Sequence, residues 1–145
     1  MAQPDTQPSY RIIFVHKHGT SARTRFLRFS GNTVCGFEPL PKLSQLLDTA
    51  SRSVIATHPA QFLKEAAGRL GLPVKSLEWE PEFNLWVDIP GGPVRILLFR
   101  FLEIDPPFAA AEAIGGCFID LTEARDLPNV ELLLLRRAYE VILGG

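Results

Sequence analysis

Two short apolar stretches near the start of the chain flank a polar segment. Residues 10–15 and 24–29 are rich in β-branched and aromatic side chains, a composition that favours strands. The Gly, Thr and Ser residues between them suit a connection between paired strands. The pattern predicts an N-terminal hairpin, with the segment HKHGT (residues 16–20) where its first strand ends.

Apolar residues recur at helical spacing in two segments in the middle of the chain. Leucines at this spacing follow Pro41 and predict a short helix within residues 40–50. Residues 59–70 carry a wider apolar stripe, and the glycine that follows can supply the left-handed conformation that commonly ends a helix. Together with a strand predicted at residues 53–57, this second helix forms part of a βαβ unit.

The C-terminal segment that starts at Asn129 has an amphipathic helical pattern, and most of its apolar residues fall within one broad arc. Leu133 lies outside that arc, on the same side as Arg136 and Arg137. We therefore predict a C-terminal helix whose outer face presents Leu133, Arg136 and Arg137 as a surface for a partner.

A second hairpin is predicted around Pro90–Pro93, within LWVDIPGGPVRILLF. Neither proline can donate the N–H that would close a turn on the two glycines. We therefore expect a four-residue loop closed by Ile89 and Val94, which places Val87 opposite Ile96. The second strand is apolar on both faces, so it should be a central strand of the sheet.

Strands and helices that alternate around antiparallel hairpins predict one α+β domain over residues 10–145, with a mixed α/β arrangement as the alternative. Its sheet is expected to be mixed or antiparallel. Residues 1–9 are rich in Pro, Gln and Ser, and we expect them to form a disordered lead-in to the domain.

The composition is typical of a globular chain, since 46% of the 145 residues are hydrophobic and 21% are charged. No stretch is long and apolar enough to span a bilayer, and the first residues lack the features of a secretory signal. Cys35 and Cys117 stand far apart among apolar neighbours, which predicts small buried residues rather than a disulfide scaffold or a zinc ribbon. We expect a cytoplasmic protein without a membrane partner.

Charge is distributed unevenly along a nearly neutral chain. Five basic residues and one acidic residue lie within residues 1–37, whereas the remainder has more acidic than basic groups. The predicted N-terminal hairpin is therefore a basic patch on an acidic body. Such a patch favours a partner or ligand that carries negative charge.

Histidines mark the first candidate site. His16 and His18 are two residues apart, so their rings leave the same face if the strand continues through them. His58 follows another predicted strand, and all three histidines are candidate catalytic or metal-binding residues if those strands are neighbours. The alternative is that these histidines flank a turn and face water.

The pair His18–Gly19 after a strand resembles the active-site start of the histidine phosphatase superfamily, in which a strand delivers Arg-His-Gly. Residues 53–74 are similar in outline to that superfamily's next strand and helix. The resemblance implies a phosphorylated nucleophile at His18. Lys17 stands where the superfamily has its arginine, and no histidine follows His58 to act as the second catalytic histidine.

Basic residues mark the second candidate site. Arg23 and Arg25, with Lys17 nearby, could hold a small anionic ligand by paired hydrogen bonds. Alternating arginines and phenylalanines in RTRFLRF are also compatible with weak binding of single-stranded nucleic acid. The pI of about 6.3 argues against a dedicated nucleic-acid-binding protein.

No cofactor fingerprint, phosphate-binding loop or nucleophile elbow occurs in the sequence, and we expect no cofactor. We predict an accessory, regulatory or protein-binding module without catalytic activity, which binds a protein partner or self-associates. The alternatives are an anion-directed enzyme or metal site that uses the three histidines with Arg23 and Arg25, and a weak single-stranded nucleic-acid binder.

Overall fold

The strand Gly92–Phe101 lies at the centre of the fold, and the other elements are arranged around it. The computed structural model describes residues 10–47 and 59–144. Within those residues, seven strands and three α-helices form one α+β domain. In chain order the elements are β1 (Tyr10–Lys17), β2 (Thr24–Arg28), β3 (Gln45–Leu46), α1 (Ala60–Leu70), β4 (Leu77–Trp79), β5 (Leu85–Ile89), β6 (Gly92–Phe101), α2 (Phe108–Ala113), β7 (Cys117–Ile119) and α3 (Asn129–Gly144).

The strands form one mixed sheet in the order β3-β5-β6-β1-β2-β7, and β4 pairs with the last residues of β6. β1 and β6 run parallel, whereas the other neighbouring strands run antiparallel. The predicted α+β class and the predicted central position of β6 are confirmed. Four consecutive residues of β6, from Ile96 to Phe99, are fully buried.

Helices cover both faces of the sheet. Ile13 and Val15 of β1 point to the face that packs against α3. Ile12 and Phe14, which alternate with them, point to the face that packs against α1 and α2. This alternation explains why β1 is apolar at consecutive positions, because each of its faces is covered by a helix.

Three predicted local elements are confirmed. The N-terminal hairpin pairs β1 with β2 antiparallel, and the first strand extends through His16 and Lys17. Helix α1 ends at Gly71, whose φ of 69° is left-handed, as expected of a glycine that terminates a helix. Helix α3 covers the predicted C-terminal segment.

The predicted register of the second hairpin was wrong by two residues. Ile89 pairs with Gly92 and Val87 pairs with Val94, so Pro90 and Gly91 form a two-residue turn. Pro90 presets the φ angle of the first turn position, and Gly92 retains an N–H that neither proline has. Each side chain of the hairpin still points to the predicted face of the sheet, because a shift of two residues preserves the alternation along a strand.

The short helix predicted within residues 40–50 was also wrong in its described part. Residues 42–43 form a turn, after which β3 pairs with β5 through Gln45–Asp88 and Leu46–Val87. This pairing gives the main chain of β3 a neighbouring strand, which the spacing of the leucines along the sequence could not reveal. The remainder of that segment, the strand predicted at residues 53–57 and the lead-in at residues 1–9 lie outside the described residues.

The cysteines differ from one another in burial. Cys35 is fully buried, as predicted, and burial raises the pKa of its thiol. Cys117 is exposed, so the prediction of a buried residue was wrong there. Cys117 is the first residue of the edge strand β7, and its cross-strand neighbour is the partly exposed Arg28, so this end of the strand faces solvent. No α-helix in the described part of the chain has both the length and the apolar character needed to cross a bilayer.

Candidate functional site

The carboxyl ends of three strands meet at one edge of the sheet. β1 and β6 run parallel, and β7 runs in the same direction because it is antiparallel to β2, which is antiparallel to β1. Functional residues of sheet proteins often gather at such an edge. Here it brings together the HKHGT segment, the connection from β6 to α2, and the residues that follow β7.

His16 is fully buried at this edge. Its Nε2 lies 2.9 Å from the main-chain oxygen of Glu103, just beyond β6. A carbonyl oxygen can only accept, so Nε2 carries the proton and donates this hydrogen bond. Nδ1 is enclosed as well, and it has no hydrogen-bond partner among the described residues. The ring therefore anchors the chain where it leaves β6.

His18 holds the turn that follows β1. Its Nδ1 accepts hydrogen bonds from the main-chain N–H groups of Thr20 and Ser21, each at 3.2 Å. The main-chain N–H of His18 donates to the main-chain carbonyl of Arg23 at 2.9 Å. With Nδ1 occupied as an acceptor, the neutral ring carries its proton on Nε2. That nitrogen lies 4.0 Å from Oδ1 of Asp105.

The two histidines therefore contact alternate residues of one segment. The ring of His16 holds the main chain of Glu103, and the ring of His18 lies beside the carboxylate of Asp105. Their ring centroids are 6.5 Å apart. We call this arrangement of His16, His18, Glu103 and Asp105 the histidine clamp. Within it, the hydrogen bond from His16 to Glu103 fixes the connection between β6 and α2 against the end of β1.

Arg23 and Asp120 form a two-point ion pair at the same edge. Nε and Nη2 of Arg23 lie 3.2 and 3.0 Å from the two carboxylate oxygens. The hydrogen bonds from Arg23 hold the pKa of Asp120 below its ordinary value. The main-chain N–H of Asp120 also donates to Glu123, in a capping box that starts the short 3₁₀ helix Leu121–Glu123.

The other basic candidates have different neighbours. The guanidinium of Arg25 lies 5.7 Å from the ring centroid of Phe108, a distance compatible with a cation–π contact. Arg25 is also the cross-strand partner of His16, and Lys17 lies opposite Thr24. The structure thus places Arg23, Arg25 and Lys17 near one edge, with Arg23 directed to Asp120 and Arg25 to Phe108. Their role in anion binding stays a prediction.

The remaining candidates lie elsewhere. Leu133, Arg136 and Arg137 are exposed together on the outer side of α3, as their spacing predicted, and their role in an interface stays a prediction. His58, the third candidate histidine, lies outside the described residues. Among the described residues, no group of three or more His, Cys, Asp or Glu side chains is arranged to hold a metal ion.

The apolar segment of residues 96–108 favours a binding surface by its sequence, but sequence reasoning did not predict that His16 holds it. Leu102, Ile104 and Phe108 are exposed there, and helix α2 begins at Phe108. A signal was present in the sequence, because two prolines at 106 and 107 follow a strand and can open a helix. The contact with His16 could not be predicted, because it joins residues 87 positions apart.

Comparison with known proteins adds no family assignment. No protein-family model matches the chain, and no curated protein matches it. The likeness of His18–Gly19 to the histidine phosphatase superfamily stays a local resemblance.

Proposed function

We propose that this protein is a protein-binding module, and that it binds through the connection between β6 and α2. The observation that carries this proposal is the exposure of Leu102, Ile104 and Phe108, which we call the 102–108 surface. Their side chains are 49%, 79% and 51% exposed, respectively. In the described part of the chain, three of the seven exposed large apolar residues lie within this one short segment. Apolar groups gathered on a surface mark interaction sites.

The segment is held in place before any partner binds. His16 holds the main chain of Glu103 by a hydrogen bond, and the ring of His18 lies 4.0 Å from the exposed carboxylate of Asp105, so residues on both sides of Ile104 lie close to the end of β1. Pro106 and Pro107 restrict the backbone that follows, and Pro106 is buried. A fixed surface loses less conformational entropy when it binds, so more of its contact energy appears as affinity. This rigidity supports a binding role.

The contacts of His16, of Arg23 and of Nδ1 in His18 favour this proposal over an anion-directed enzyme. A general base or nucleophile must reach the substrate with a free nitrogen or oxygen. Nδ1 of His18 accepts two main-chain hydrogen bonds, and Nε2 of His16 donates to Glu103. Arg23 already shares two hydrogen bonds with Asp120. These groups have structural tasks within the protein, whereas Nε2 of His18 lies 4.0 Å from the carboxylate of Asp105, beyond hydrogen-bond distance.

The compartment proposed for this module is the cytoplasm. Cys35 and Cys117 are both free thiols in the structure, and free thiols suit a reducing environment.

Site-specific photo-crosslinking tests the binding role. We expect benzoylphenylalanine in place of Phe108 or Ile104 to form covalent protein products in living cells, because both positions would lie within an interface. The matched control is the same residue in place of Val74, which is 45% exposed but belongs to a different surface. Products at positions 104 and 108 that are missing at position 74 would support the proposal. Equal products at all three positions, or none at 104 and 108, would overturn it.

A further inference from the structure

We propose that the protein binds a second copy of itself by pairing β7 with β7 of the other copy, so that the two sheets become continuous. This inference rests on the proposed function, because it names the partner of the surface described above. It commits to one geometry, an antiparallel pairing centred on Phe118, in which Cys117 of each copy lies opposite Ile119 of the other. A two-fold axis makes such a contact self-complementary.

The first argument is the open edge of the sheet, which here means the unpaired long side of its outermost strand rather than the carboxyl ends of the strands. Within residues 10–47 and 59–144, three strands have a neighbour on one side alone: β3, β4 and β7. Proteins usually protect such edges with charged residues or by making them very short. β4 carries the exposed Glu78, and β3 has two residues. β7 is Cys-Phe-Ile and has no charge, so it is the edge with the least protection against pairing.

The second argument is the apolar surface that continues from β7. The ring of Phe118 lies 5.6 Å from that of Phe108 and 5.7 Å from that of Phe101. Phe108 belongs to the 102–108 surface and is half exposed. A strand added at β7 would bring apolar side chains against Phe108, and main-chain hydrogen bonds would satisfy the open edge. The open edge and the apolar surface therefore support the same contact.

The third argument is the charge around this edge. The guanidinium of Arg25 lies 5.7 Å from the ring centroid of Phe108, and Asp105 lies in the adjacent connection. Both signs therefore occur beside the 102–108 surface, so a two-fold axis can place the cation of one copy near the anion of the other. A surface of one sign would repel its own copy and would favour a partner of opposite charge. The mixed charges favour a second copy of this chain.

Cysteine chemistry provides a direct test of this geometry. With a rise of about 3.4 Å per residue and about 4.8 Å between strands, the two Cys117 Cα atoms would lie about 8 Å apart on one face. A disulfide needs a separation of roughly 4.4–6.8 Å. We therefore expect a short bismaleimide to join two copies through Cys117 and mild oxidation not to join them. Cys35 is fully buried and should not react.

Sedimentation equilibrium with matched variants completes the test. We expect wild-type protein and Cys117→Ser to dimerise equally, and Cys117→Lys to weaken dimerisation about tenfold or more, because it places like charges across the axis. Position 117 is exposed, so both variants should keep the fold, which circular dichroism would check.

Two results would overturn the inference. One is a strictly monomeric wild-type protein at every concentration. The other is a dimer with a different interface. Such a dimer would be insensitive to Cys117→Lys, would not be crosslinked by the bismaleimide at Cys117, or would be broken by Leu133→Asp on α3 instead. In either case, photo-crosslinking of Phe108 to a different protein would leave the proposed function standing, so the two failures can be told apart.

Discussion

Replacing Glu131 with alanine is expected to lower the free energy of unfolding by about 3 kcal/mol. Glu131 lies in the first turn of α3 and is 1% exposed. Its carboxylate accepts hydrogen bonds from the hydroxyl of Thr33 at 2.8 Å and from the main-chain N–H of Val34 at 2.9 Å, and a further bond from the main-chain N–H of Leu40. Alanine would leave these buried donors without an acceptor, at about 1–3 kcal/mol for each one that water cannot reach.

Equilibrium unfolding in urea measures this effect. The matched control is Glu140→Ala, an exposed glutamate on the same helix, which should change stability by less than about 0.5 kcal/mol. Equal effects of the two substitutions would contradict the anchoring role of Glu131. That role is to hold the loop of residues 31–40 against α3 through the hydrogen bonds from Thr33 and Val34.

The same glutamate predicts a dependence of stability on pH. Burial raises the pKa of Glu131 above its ordinary value of 4.5, although the hydrogen bonds from Val34, Thr33 and Leu40 oppose that shift. The folded protein then holds the proton more tightly than the unfolded chain does. As pH rises from 4.5 to the raised value, this group makes the folded state progressively less stable. Glu131→Gln should remove that part of the pH dependence.

The second large effect is expected for Phe14→Ala, which should destabilise the fold by about 3–5 kcal/mol. Phe14 is fully buried in the middle of β1. Its ring centroid lies 5.6–6.1 Å from those of four other rings: Phe29, Phe37, Phe99 and Phe101. Removing it would open a cavity among side chains from several elements. Because domains of this size are stable by about 5–15 kcal/mol, the variant should be close to unfolding at room temperature.

Thermal unfolding followed by circular dichroism would show this effect as a large fall in the melting temperature. Phe108→Ala is the matched control, because that phenylalanine is half exposed and contacts Phe118 at the surface. It should cost about 1 kcal/mol or less. If both substitutions destabilised the protein equally, the aromatic cluster around Phe14 would not be the core that its burial indicates.

Elements with a strong local pattern could be predicted from the sequence. The N-terminal hairpin, the central strand β6 and helix α3 each follow from apolar periodicity, because burial imposes a period of two or about 3.6 residues. Glu131 was missed although its position carried a signal. It precedes Leu134, Leu135 and Ala138, all buried, by three, four and seven residues. That spacing places the carboxylate on the buried side of the helix.

Contacts between distant segments could not be predicted. The parallel pairing of β1 with β6 joins residues more than 80 positions apart, and it alone brings His16 to Glu103. The hairpin around Pro90 and Gly91 had two possible registers with the same faces, because Gly92 in one and Val94 in the other each retain the N–H that can close the loop. Pattern and composition carry no information on either choice.

The HKHGT segment shows the same limit. Spacing correctly indicated that His16 and His18 lie near one another, and it suggested metal binding, catalysis or exposure to water as their role. In the structure, the ring of His16 donates a hydrogen bond to the segment that leads from β6 to α2, and the ring of His18 lies 4.0 Å from Asp105 in that segment. We regard this histidine clamp as the central feature of the edge, since it fixes the 102–108 surface.

Side-chain nitrogen NMR of the two histidines tests the clamp most directly, at alkaline pH where imidazoles are neutral. We predict that both rings carry the proton on Nε2: in His16 because it donates to Glu103, and in His18 because Nδ1 accepts from Thr20 and Ser21. The His16 proton should also exchange slowly with water. A proton on Nδ1 of His16, or tautomers of both rings that average rapidly in solvent, would contradict the account.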